Sequence, residues 1–123
     1  MTSETRRDAV LVVARDVLGA GLLAVLIEGT GREALFAFDG ERAEHAVERL
    51  RPSLVLLDCY HPAARSDAFF SAVETIASRV VLFAPTPPWD DVADIARRPQ
   101  VTAFVHAAPG ESLAEKLRRA LEG

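Results

Sequence analysis

The sequence predicts an α/β fold: a single doubly wound domain of the flavodoxin-like (βα)5 type with a five-stranded parallel sheet. Three observations carry this expectation. Short apolar runs alternate along the chain with longer amphipathic ones. The short runs lack polar alternation, as strands covered on both faces do. Five such strands alternate with five helices, which is the βα repeat that builds a parallel sheet.

Ala9 to Ala14 is a continuous, β-branched run and forms the first strand, with roughly the first eight residues as a flexible tail. Asp16 can cap the helix that follows, which runs to about Glu28 and ends at Gly29. Within it Val17 to Ile27 is apolar throughout. A bilayer span needs roughly 20 such residues, so this shorter stretch is expected as a core helix. Ala34 to Phe38 is the second strand. Asp39 starts the second helix, with Ala43, Ala46, Val47 and Leu50 at helical spacing, and Pro52 ends it. Leu54 to Leu57 is the most strand-like segment and terminates in Asp58. A loop carrying Pro62 leads to a helix capped by Ser66 or Asp67 and running through Phe70, Val73 and Ile76. Val80 to Phe83 is the fourth strand, followed by the breaker cluster Pro85-Thr86-Pro87-Pro88. A short helix over Trp89 to Arg97, a fifth strand over Ala103 to His106, and a helix marked by Leu113, Leu117 and Leu121 complete the chain.

With 123 residues, 50% apolar and 26% charged, the chain suits one globular domain and excludes a disordered or low-complexity class. A net charge of −4 argues against nucleic acid as a direct partner, because a phosphate-binding face is basic. The amino terminus lacks a secretory signal and the only cysteine, Cys59, cannot form an internal disulfide, which fits a cytoplasmic location. Cys59 reads as a packing residue. His45, His61 and His106 lack metal-ligand spacing. Gly19 to Gly21 lies inside a helix and Gly29 to Gly31 follows one, so neither is a phosphate loop. In doubly wound sheets, sites form outside the carboxyl ends of the strands. Function is therefore expected at residues 14–16, 58–62, 84–86 and 106–109.

Three segments then stand out: AVLVVARD, DGERAEHAVERLRPSLVLLDCYHP and AFVHAAPGESLAEKLRRAL. Together they resemble the receiver domain of bacterial response regulators, the phosphoacceptor module of two-component and phosphorelay signalling, from about Ala9 to the carboxyl terminus. The resemblance implies that Asp58 is the phosphoacceptor position, with His61 at the place of a methionine. It sets Ala14 and Arg15 where the family has two acidic Mg2+ ligands. It sets Ala84 where a threonine or serine binds a phosphoryl oxygen, and Ala107 where a lysine pairs with phosphate. Phe104 matches the aromatic switch residue. Asp16, Tyr60, His61 and Thr86 are the further neighbours of the site.

Phosphoryl transfer to a carboxylate depends on positioning and on neutralising the charge that develops, with the metal as the largest local charge. With Ala14 and Arg15 in the metal positions, Mg2+ binding is expected to be weak or absent, with no other cofactor. The planar guanidinium of Arg15 is expected to pair with Asp58 and fill the metal's space. The expectation is a degenerate receiver, an atypical or pseudo-receiver, which is not an enzyme. It would act mainly through phosphorylation-independent protein–protein contact. The surface would be the fourth helix, fifth strand and fifth helix, with Trp89 and Phe104 as interface candidates and a protein partner or second copy as occupant. No direct nucleic-acid or membrane partner is expected. One alternative is a receiver that is phosphorylated on Asp58. The other is a small-ligand sensor using the apolar concavity left by alanines 14, 84 and 107.

Overall fold

The computed structural model describes residues 6–15, 17–84, 90–106, 110 and 112–122. Asp16, Thr86, Trp89 and Ala107, all singled out from the sequence, lie outside the described residues. The elements are β1 (Arg6–Val13), α1 (Val17–Glu28), β2 (Glu33–Phe36), α2 (Ala43–Leu50), β3 (Pro52–Asp58), a 3-10 turn (Pro62–Arg65), α3 (Asp67–Thr75), β4 (Arg79–Ala84), α4 (Asp90–Ala96), β5 (Val101–His106) and α5 (Leu113–Glu122). The five strands are parallel in the order β2-β1-β3-β4-β5, the doubly wound sheet expected.

Alternate strand residues feed two apolar layers, because successive side chains leave a strand on opposite faces. Leu11, Val55, Leu57 and Leu82 join Val47, Phe69, Phe70, Val73, Val92 and Ile95 from α2, α3 and α4. Val10, Val12, Leu54, Leu56 and Val81 join Leu23 and Ile27 of α1 and Leu117 and Leu121 of α5. Burial on both faces is why these strands read as unbroken apolar runs.

Several boundaries move for identifiable reasons. β1 begins at Arg6, so the tail expected through residue 8 gives up three residues to the strand, and it stops at Val13, one residue short of Ala14. Pro52 opens β3 besides ending α2, a place a strand tolerates proline because its first N–H is expendable. The reversal between them falls on Arg51, left-handed at φ 47°, whose N–H closes on the Val47 carbonyl at 2.9 Å. Asp39 does not start α2. Asp39 and Gly40 form a turn, with Gly40 at φ 78°, and the helix begins at Ala43. The Glu41 carboxylate organises this turn by accepting the Phe38 N–H at 2.9 Å and both Nε and Nη2 of Arg49 at 2.8 and 2.7 Å. Ser66 does cap α3, its Oγ accepting the Phe69 N–H at 3.2 Å.

The largest departure is α1. The sequence predicts a core helix, yet Leu18, Leu22 and Val25 are 78%, 64% and 68% exposed, while Leu23 and Ile27 are buried. One face of the helix packs on the sheet and the opposite apolar face meets solvent. No helix among the described residues is long and apolar enough to cross a membrane.

Candidate functional site

The carboxyl edge of the sheet brings Asp58 beside the end of β1. Val13 is in register with Leu57, and Asp58 is in register with Phe83 of β4. The chain turns sharply after Asp58. The Cys59 N–H prolongs the ladder to the Phe83 carbonyl at 2.9 Å, and the His61 N–H returns to the Asp58 carbonyl at 3.0 Å. The Asp58 side chain stabilises this turn in the way aspartates commonly do, by accepting the N–H two residues on: Oδ1 to Tyr60 N is 2.9 Å. Among the described residues, Oδ2 has only a long contact, 3.4 Å, from the Arg15 N–H.

Arg15 therefore meets Asp58 through its backbone. The side-chain ion pair expected between them is not formed: the exposed guanidinium lies 5.3 Å from the centre of the Tyr60 ring. A flat cation stacks favourably on an aromatic face, and Asp58 already has a backbone donor. His61 reaches the same edge with its imidazole engaged. Its Nδ1 accepts the Ala63 N–H at 3.0 Å and caps the 3-10 turn. Burial holds its pKa below the ordinary imidazole range, with the nearby Asp58 charge opposing that shift. His61 is thus a neutral acceptor at Nδ1.

Cys59 is fully buried in the core on the α2–α3 side, as a packing cysteine would be. Ala84 is 1% exposed and belongs to the same core. Of the concavity expected at alanines 14, 84 and 107, the part beside Ala14 is formed, Ala84 is packed away, and Ala107 lies outside the described residues. Beside Ala14 a groove of about 450 Å3 runs between α1, β2 and the loop after β2. Val12, Val13 and Ala14 form its floor, Ala20, Gly21 and Phe36 its walls, and Arg15, Asp39, Glu41 and His61 its polar rim. The Glu41 carboxyl is held down at about 2, first by hydrogen bonds from Arg49 and then by the Phe38 N–H, so this rim anion is already engaged. Among the described residues, no three His, Cys, Asp or Glu side chains converge in a way that could hold a metal ion.

At the opposite edge, β5 and α5 enclose a shallower groove of about 400 Å3 lined by Ala103, Phe104, Val105, His106, Lys116, Arg119 and Ala120. Phe104 is half-buried, its ring 5.6 Å from that of His106, and Lys116 Nζ donates to the His106 carbonyl at 3.2 Å. His45 stands exposed on α2.

Sequence reasoning did not identify Gly21, Phe36, Glu41 or Lys116 as site residues. Two signals were present. A glycine inside a helix costs about 1 kcal/mol relative to alanine, and so asks for a reason. The chain's single lysine among 14 basic residues is the other.

No family model matches the chain. A 59-residue stretch is 41% identical to the DNA-binding response regulator MtrA of Mycobacterium tuberculosis, covering 48% of this chain and 26% of that protein. The chain thus matches about a quarter of the length of that relative. Its fold is similar to the signal receiver domain of a modulated diguanylate cyclase from Desulfovibrio desulfuricans G20, with a TM-score of 0.70, 22% identity, and 95% and 92% of the two chains covered. It is also similar to NtrX from Brucella abortus, solved with ADP, at a TM-score of 0.70 and 25% identity over 95% of this chain and 26% of that one. Sequence likeness to a response regulator covers about half the chain, and fold likeness to a receiver domain covers nearly all of it.

Proposed function

We propose that the chain is a response-regulator receiver domain of the two-component type and a degenerate one, a cytoplasmic, non-enzymatic module acting through protein contacts that do not depend on a phosphoryl group at Asp58. The observation that carries the reading is the company Asp58 keeps. The positions matched to the family's metal-binding acids hold a methyl group at Ala14 and a guanidinium turned onto Tyr60 at Arg15. Mg2+ asks for octahedral oxygen ligands that include one or two carboxylates, and an alanine and an arginine offer no side-chain oxygen. Attack by the Asp58 carboxylate on a phosphodonor would bring two anions together, and the attack would go without its main electrophilic aid. At the end of β4, Ala84 offers a buried methyl where a hydroxyl would bind a phosphoryl oxygen. A phosphate there would gain little that differs between two conformations, and so would shift no equilibrium.

The contact surface in this reading is the α4–β5–α5 face. β5 is an edge strand, and its half-buried Phe104 stands by the groove against α5 with Lys116 and Arg119 at its rim. This combination of aromatic anchor and cationic rim is usual at protein interfaces.

Incubation with acetyl phosphate or beryllofluoride, with and without Mg2+, tests the proposal. Intact mass and thermal stability are expected to stay unchanged in every arm. A Mg2+-dependent mass gain that Asp58→Asn abolishes would overturn it. A second reading, small-ligand sensing, is supported by the 450 Å3 groove beside Ala14, which falls within the size range of ligand pockets. Thermal-shift screening against a metabolite panel checks this, since a ligand that binds only the folded state raises Tm.

A further inference from the structure

From the exposed face of α1 we infer a second function for this domain: self-association through an antiparallel pair of α1 helices related by a two-fold axis. Leu18, Gly21, Leu22, Val25 and Glu28 are all exposed, and their spacing of three and four residues puts them on one helical stripe. Arg15, also exposed, precedes the first turn. The stripe is apolar in the middle and oppositely charged at its two ends. Among the described residues, neither Arg15 nor Glu28 forms an ion pair.

This pattern is self-complementary in one orientation only. An axis passing between positions 21 and 22 sets Leu18 against Val25 of the second copy, Leu22 against Gly21, and Arg15 against Glu28. A Cβ built on Gly21 would meet nothing within 4 Å, so the glycine is a hole open to an incoming leucine. A parallel pair would instead stack Arg15 on Arg15 and Glu28 on Glu28. Antiparallel packing also opposes the two helix dipoles. A two-fold interface uses the same patch twice, so one stripe with mirrored charges suffices.

The size of the patch sets the strength. Leu18, Leu22 and Val25, at 78%, 64% and 68% exposure, leave on the order of 400 Å2 of apolar surface per copy, a patch large enough to mark an interaction site. Two copies approach the roughly 1,200 Å2 where weak and stable interfaces divide once the rim is added. The dimer belongs to the weak class, with a Kd of about 10–100 μM. The inference does not draw on the α4–β5–α5 face, and it needs the Arg15 guanidinium to leave the Tyr60 ring for Glu28 of the second copy.

Sedimentation velocity from about 1 to 500 μM tests it. The chain is expected to pass from monomer to dimer across this range. Leu22→Glu is expected to leave a folded monomer at every concentration, with Leu22→Ser as a second variant if the first loses its circular dichroism spectrum. Arg15→Glu or Glu28→Arg alone is expected to weaken association about three- to tenfold, each dimer containing two such pairs. The double variant Arg15→Glu/Glu28→Arg restores it to within about twofold. A chain that stays monomeric to 500 μM would overturn the inference. So would a dimer indifferent to Leu22→Glu, or a double variant no better than the singles.

Discussion

Truncating Asp58 to alanine removes a half-buried carboxylate and leaves the Tyr60 N–H, 2.9 Å away, without its acceptor. One lost charge-assisted hydrogen bond at a partly solvated site costs about 1.5 kcal/mol, and the 3.4 Å contact from the Arg15 N–H adds little. An unfolding entropy of about 2.1 cal/mol/K per residue over 123 residues gives about 0.26 kcal/mol/K, so Tm is expected to fall by about 6 °C. Arg15→Ala gives up an exposed contact with the Tyr60 ring, worth about 0.5 kcal/mol, and lowers Tm by about 2 °C. Because the guanidinium is on Tyr60 and not on the carboxylate, the two losses share no ion pair and meet only weakly, through Tyr60 and the Arg15 N–H. The double variant should lose about 2 kcal/mol in denaturant titration, with a coupling under about 0.5 kcal/mol. A coupling above about 1 kcal/mol would mean that Arg15 neutralises Asp58 after all, and would refute the site geometry on which the functional proposal leans.

Phe70→Ala should cost about 3–5 kcal/mol by urea denaturation, since the ring is 1% exposed, packs edge-on against Phe69 at 5.1 Å and carries Arg98 at 4.4 Å over its face. A loss under about 1.5 kcal/mol would contradict that packing. Arg51→Gly should raise stability by about 0.5–1 kcal/mol, because a left-handed backbone at φ 47° costs a side-chain-bearing residue more than glycine's extra unfolded freedom costs; a fall in Tm would show that the Arg51 stem packs productively. For His61, a pKa below 6.5 in the folded chain means that the unfolded chain binds the proton first as pH drops. The stabilisation from neutral His61 is full above pH 6.5 and is lost as pH falls from there through the lower folded value. His61→Asn keeps an acceptor for the Ala63 N–H, so Tm measured from pH 7.5 to 5 should flatten in this variant. An unchanged slope would assign the acid sensitivity elsewhere.

The strands were legible because a fully covered strand admits no polar residue, and Leu54 to Leu57 reads that way with no knowledge of its neighbours. The place of Asp58 followed, since the run ends there and the carboxyl edge of such a sheet is where sites form. The exposure of α1 was not legible. With apolar residues on every face, the stretch from Val17 to Ile27 has no phase, and only packing on the sheet chooses Leu23 and Ile27 over Leu22 and Val25. The end of α2 and the start of β3 were blurred for a different reason. Pro52 marks a stop by rule, but it could open a strand only because Arg51 takes a conformation that arginine seldom adopts. The orientation of Arg15 depended on a competition between a carboxylate and an aromatic face that stand two residues apart in the chain. Residue types alone do not decide such a contest.

The strand order holds one more consequence. β1 sits between β2 and β3, and β3 ends only at Asp58. During synthesis the first strand and helix, almost devoid of charge from Ala9 to Ile27, must wait for some thirty further residues before the central ladder can close. At roughly 5–20 residues per second that is a delay of a few seconds. Over that interval the nascent chain presents a sticky first strand and helix, so its yield in cells should track the supply of chaperones that shield emerging hydrophobic segments more closely than the stability of the finished domain.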